Sequence, residues 1–241
     1  MDPENEMNDQ LKRRPQLEEL GKQYEQQPFI RALIQLIPYG IGSAMDTALI
    51  TVLNNVREER ARAFFDELAK GNIVLTQERI ANEDFLHSYF ATARAALNTR
   101  RREKIKLFGR LFINYCKGAG VADTDTYEET LAVLDDLTLR ELQVLLLLRD
   151  FESKNPILPG ESTLQRVNRF WASFIQRVVD ECGISKTEVS GYLGRLNRTG
   201  LYQTIVGMFW DYTGDKGSTT PNFEQLLDFL DIQDNEDLSS I

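Results

Sequence analysis

The sequence predicts a mainly helical chain in two parts, an antiparallel helical bundle followed by a second helical domain with a small β element. Three observations carry this. Apolar residues return at helical intervals through most of the chain, as at Phe85, Tyr89, Phe90, Ala93 and Leu97. Near the C-terminal end the period changes: Leu201, Gln203 and Ile205 alternate with Tyr202, Thr204 and Val206, which is a strand pattern. Between the two parts lies a polar stretch at residues 121–127, VADTDTY, the expected joint. The expected organisation is a polar leader at 1–28, a bundle at 29–120, the joint, a second domain at 128–232 and an acidic tail at 233–241.

Composition bounds the rest. The 241 residues are 42% hydrophobic and 27% charged, which describes a soluble globular protein with ample core. The formal charge of −9 repels DNA and anionic membranes in bulk. That charge is uneven. Residues 221–241 hold six acids and no Lys or Arg, so the rest of the chain carries only −3. Cys116 and Cys182 both lie in apolar helical patterns and read as buried free thiols. The first sixteen residues contain no apolar signal-peptide core, and cysteines are few, so the expected location is cytoplasmic.

Each element follows from local chemistry. The leader is rich in Gln, Glu and Pro, with a helix expected over 16–26. Residues 29–53 are the most apolar stretch, but Arg31, Gln35 and Asp46 intrude and the 38–42 run, PYGIG, breaks the helix. A spanning helix needs about 20 unbroken apolar residues, so the reading is two helices in a buried hairpin, Ser43 capping the second. That second helix runs to Lys70 and stops at Gly71-Asn72; one further turn is expected at 76–79. Asn82 caps what reads as a single long helix, closed by Gly118 after roughly 34 residues and about 50 Å. This helix holds a basic run, including Arg100, Arg101, Arg102, Lys104 and Lys106, read either as a solvated face paired with acids or as a phosphate-contacting patch. In the second domain Thr138 and Glu141 form a capping box ahead of an almost wholly apolar helix. Ser162 or Thr163 opens the next. The run 214–217, GDKG, is a turn signal, and Thr220-Pro221 opens a last helix with Thr as cap and Pro at its first position.

The densest motif is FIQRVVDECGISKTEVSGYLGRLNRTGL at 174–201. Ile175, Val178, Val179 and Cys182 fall at helical spacing, Gly183 breaks the helix, and Ser185 to Glu188 reads as a capping box. Val189, Tyr192, Leu193 and Leu196 then give one apolar face, ended by Gly200. This order resembles the helix-turn-helix of winged-helix regulators of the MarR and ArsR kind. The 29–120 pattern resembles bacterial and phage proteins that join a helical region to a C-terminal winged helix, a likeness that implies no activity.

The winged-helix resemblance implies a fold of helical bundle plus winged-helix domain, with the strand pattern from Leu201, the 214–217 turn and the return toward Thr220 as the wing. It also implies DNA contacts: Thr187, Ser190 and Gly191 where base edges would be read, Lys186, Arg195 and Arg198 on phosphates, Lys216 at the wing tip. Thr, Ser and Gly are short, and residues 184–201 total only +2, so the face suits weak duplex binding. Winged helices also dock proteins.

Enzymatic chemistry has no foothold in the sequence. His87 is the only histidine, and no P-loop, nucleophile elbow or zinc-protease motif occurs. Catalytic residues, metal and cofactor are all expected to be absent. The leading expectation is a non-enzymatic DNA-associated regulator whose bundle forms a homo-oligomer or senses a partner. The alternatives are a protein-docking module, of the kind found in phage–host conflict, and a membrane-active effector working through residues 29–53, the membrane being the disfavoured partner.

Overall fold

The computed structural model describes residues 22–36, 47–71, 73, 76, 78, 81–118, 123–206 and 216–233. Among these it is mainly helical, with nine helices and one two-stranded antiparallel sheet. The chain divides into two compact units, Met1–Glu128 and Glu129–Ile241. The expected break at 38–42, the Ser43 cap, most of the leader, the turn at 76–79 apart from residues 76 and 78, residues 214 and 215 of the GDKG turn and the tail beyond Gln233 lie outside the described residues.

The first unit contains α1 (Pro28–Leu36), α2 (Thr47–Lys70), α3 (Glu83–Asn98), α4 (Arg102–Lys117) and the start of α5 (Thr124–Asp136). Phe64, Phe65, Leu68, Tyr89, Phe108, Leu111 and Phe112 are buried at its centre. Gly109 of α4 lies against α2, where a Cβ would come within 2.9 Å of Glu67 Cβ, so the absence of a side chain lets the two backbones close. Glu67 is buried there and is neutralised by Arg110 at 3.2 Å and Lys70 at 2.6 Å. Tyr89 donates its hydroxyl to the Leu33 carbonyl at 2.5 Å, fastening α3 to α1.

Two expectations fail in this unit. The single long helix is instead a hairpin of α3 and α4, divided at Thr99, Arg100 and Arg101. Thr99 and Arg101 take extended backbone, with ψ of 134° and 122°. Phe85 and Phe112 are 5.6 Å apart centroid to centroid, and Tyr89 and Phe112 5.7 Å. In one straight helix, residues 85 and 112 would be separated by roughly 40 Å at 1.5 Å per residue. Folding back buries both aromatic clusters against each other, which a lone amphipathic helix could not do. The residues that give way, Thr99 to Arg101, lie within a run of seven polar side chains, Asn98 to Lys104. The polar joint is also partly helical, since α5 begins at Thr124. Asp123 accepts from the Thr126 amide at 2.7 Å and starts the helix, while Tyr127 is fully buried, 4.3 Å from the Tyr115 ring.

The second unit contains the rest of α5, then α6 (Leu139–Lys154), α7 (Thr163–Cys182), α8 (Val189–Arg198), β1 (Tyr202–Thr204), β2 (Gly217–Thr219) and α9 (Pro221–Leu230). Helix α6 is its axis: Leu142 and Val144 to Leu148 are all buried. Both α6 and α7 open with a complete capping box, Thr138 with Glu141 and Ser162 with Gln165. Arg149 binds Glu224 of α9 through Nε at 2.8 and 2.9 Å, a two-oxygen grip. The strands pair in the register Tyr202 with Thr219 and Thr204 with Gly217. Glu152 of α6 holds β2 by accepting from the Thr219 amide at 3.0 Å and from its hydroxyl.

Two local expectations change. The strand is shorter than the alternation at 201–206 suggests, three residues only. Gly217 opens β2, where a Cβ would lie well under 3 Å from the Gln203 carbonyl oxygen and the Tyr202 ring; residues 214 and 215 of the expected turn lie outside the described residues. Thr220 occupies the cap position of α9 with Pro221 following, but its hydroxyl donates to the Gly200 carbonyl at 2.7 Å and caps nothing.

Candidate functional site

The candidate site is the outer surface of α7, the connecting turn and α8. Helix α7 ends at Gly183, whose φ of 62° and ψ of 33° place it in the left-handed region, open to glycine without strain. Ile184 is then buried and anchors the turn. The Ser185 to Glu188 capping box is made only by half. Glu188 accepts from the Ser185 amide at 3.1 Å and from its hydroxyl at 2.5 Å, but residues 186–188 form a turn and α8 starts at Val189. The Ser185 contacts hold the Glu188 carboxyl below its usual range.

Lys186 and Thr187 therefore lie on the turn, both exposed, and not on the second helix as the spacing predicts. Ser190, Gly191, Gly194 and Arg198 are exposed along α8, while Val189, Leu193 and Leu196 are buried beneath. The far end of α8 is tied to β1, because Asn197 accepts from the Thr204 amide at 3.2 Å.

Two predicted phosphate contacts have partners within the unit. Arg195 Nε lies 3.0 Å from Glu141 Oε1, a carboxylate that is buried and that also accepts from the Thr138 amide and hydroxyl. Nothing in spacing alone could link residues 54 apart. Lys216 Nζ donates to Asn168 Oδ1 at 2.6 Å, which places it beside α7. The secondary patch, Arg100, Arg101, Arg102, Lys104 and Lys106, belongs to the first unit.

The two glycines of α8 stand out. Neither has a positive φ, and a Cβ at Gly191 or Gly194 would meet no described atom within 4 Å. Their backbone geometry and surroundings would accept alanine, which forms a more stable helix by about 0.5–1 kcal/mol per interior position. Sequence reading finds these residues but not the fact that they face open space.

Beside this bare face, α7 and α8 leave a groove of about 430 Å³. Trp171, Ile175, Val179, Val189 and Leu193 line it, together with Lys186 and Lys216. Ile175 and Val179, expected on the buried side of α7, are half-buried on this groove, while Val178 and Cys182 point into the core. Burial pushes the Cys182 thiol up to about 11.

Other chemistry is sparse. His87 is exposed, with Nδ1 2.7 Å from Glu128. Among the described residues no three His, Cys, Asp or Glu side chains converge on a point that could hold a metal ion, and no helix is long and apolar enough to cross a membrane. No protein-family model, no curated protein and no solved structure matches the chain.

Proposed function

We propose that the C-terminal unit is a winged helix that contacts duplex DNA through the turn after Gly183 and the outer face of α8, making the protein a non-enzymatic DNA-associated regulator. The observation that carries this is the bare surface of α8. Gly191 and Gly194 weaken the helix, and a side chain at either would meet no described atom, so their use is intelligible if an outside surface comes close to the helix backbone. Ser190 and Thr187 flank them as short polar groups able to reach base edges, and Lys186 and Arg198 can reach phosphates. Binding is expected to be weak, because phosphate neutralisation supplies most duplex affinity. The test is fluorescence anisotropy on a labelled duplex between 50 and 200 mM salt. Lys186→Gln/Arg198→Gln should flatten the salt dependence by about 1.8 log units per log unit, two contacts at roughly 0.9 each. If the wild type binds no duplex at 50 mM salt, the proposal fails.

A second reading, docking of a protein helix, has its own support. With Arg195 engaged by Glu141 the face is close to neutral, and the adjoining groove has an apolar floor that includes Trp171, a residue type frequent at binding hot spots. A stoichiometric protein partner recovered without nucleic acid would favour it. The DNA-regulator reading assigns the first unit an oligomerising or partner-sensing role.

A further inference from the structure

The break between α3 and α4 sets three consecutive arginines, Arg100, Arg101 and Arg102, at one end of the hairpin, all exposed. None forms an ion pair or hydrogen bond through its side chain with a described residue. Arg60 of α2 donates to the Leu97 carbonyl at 2.8 Å, which brings a fourth guanidinium to the same end. Lys104 and Lys106 follow on the first turns of α4, and Glu103 is the only acid between residues 94 and 110.

Helix stability does not explain this placement. The start of a helix carries partial positive charge and favours acids. Here Arg101 is the N-cap, makes no side-chain cap, and is followed by Arg102 at the first position. Glu103 in the first turn offsets one of these charges; the remaining cations are mutually repelled and repelled by the helix, unless a further anion sits among them. Arginine in place of lysine points to the oxygen pairs of phosphate, which its planar fork meets with two hydrogen bonds.

We infer that this hairpin end is a second nucleic-acid contact, gripping the phosphodiester backbone of a duplex without reading its sequence. An anionic membrane is the poorer fit, because residues 98–104 include no aromatic or large aliphatic side chain to anchor in an interface. The inference deepens the reading of the C-terminal unit by supplying charge that the α8 face lacks, yet it is tested apart from it.

The experiment compares full-length wild type, Arg100→Gln/Arg101→Gln/Arg102→Gln and Lys186→Gln/Arg198→Gln on a fluorescein-labelled random-sequence duplex from 200 to 50 mM salt. Three lost contacts should flatten the salt slope by about 2.7, so that wild-type affinity rises roughly 40-fold more than the variant's across that range. Circular dichroism melts should match, showing the variant folds. Weakening confined to the arginine variant supports the inference and removes the α8 reading. Weakening confined to Lys186→Gln/Arg198→Gln does the reverse. A wild type that binds no duplex overturns both. If the arginine variant loses sedimentation with phosphatidylserine vesicles while its duplex isotherm is unchanged, the surface is a membrane contact and the inference is overturned.

Discussion

Replacing Gly191 and Gly194 together by alanine should stabilise the protein while weakening its binding. Each methyl enters open space, so neither substitution meets a clash. Gly194 is in the interior of α8, where alanine gains about 1 kcal/mol; Gly191 is at its third residue, where the gain is nearer 0.5 kcal/mol. The sum is about 1.5 kcal/mol. At roughly 2–4 °C per kcal/mol for a chain of this size melting as one unit, Tm rises by about 3–6 °C, and by more if the C-terminal unit melts alone. Two methyls between the helix and a closely seated duplex should weaken binding by about tenfold, or about 1.4 kcal/mol. Differential scanning calorimetry reads the first effect and anisotropy the second. A higher Tm with an unchanged isotherm would show that nothing approaches this face. A lower Tm would show that the glycines have a packing role the reasoning denies them.

Arg195→Ala should act on stability rather than on binding. It removes a charged partner from buried Glu141 but leaves the Thr138 hydrogen bonds; with the guanidinium half exposed, a loss of about 1 kcal/mol is expected by urea unfolding, with duplex affinity changed less than twofold. The opposite pattern would return Arg195 to the binding face. Both cysteines should be silent to a thiol reagent at pH 8 in the native state and react fully in guanidinium, since Cys116 is buried and the Cys182 thiol titrates near 11; rapid native labelling would contradict this. Glu152 gives a pH prediction. Burial raises its carboxyl above the usual range, against the hydrogen bonds from Thr219 and the charge of Arg166. A raised folded value contributes stability below the unfolded value, and that contribution is lost as pH rises through the folded one. The stability of wild type relative to Glu152→Gln should therefore be greater at pH 4 than at pH 7 in urea titrations, and a gap that grows with pH would refute the assignment.

Much of the local architecture was legible before any coordinates. The capping box at Thr138, the helix start at Ser162, the left-handed Gly183, the helix stop at Gly118 and the Pro221 helix start all depend on groups within four residues of one another. Hydrogen bonds of that range are written in the sequence directly. The Ser185 motif, read as a capping box, forms a turn instead, because Glu188 reaches back while the Ser185 hydroxyl does not close the other half.

What tertiary structure alone decided has longer reach. No proline or glycine marks the turn at 99–101, and the helical pattern runs through it. The break is worth its lost helical hydrogen bonds only because Phe85 and Tyr89 then meet Phe112, a burial that exists once the hairpin has closed. Arg195 looks like any surface cation until the fold brings Glu141 beneath it. Gly217 looks like a turn residue until the Tyr202 ring fills the place of its side chain. Periodicity records which face of a segment is apolar; which other segment covers that face is settled by packing between residues far apart in the chain.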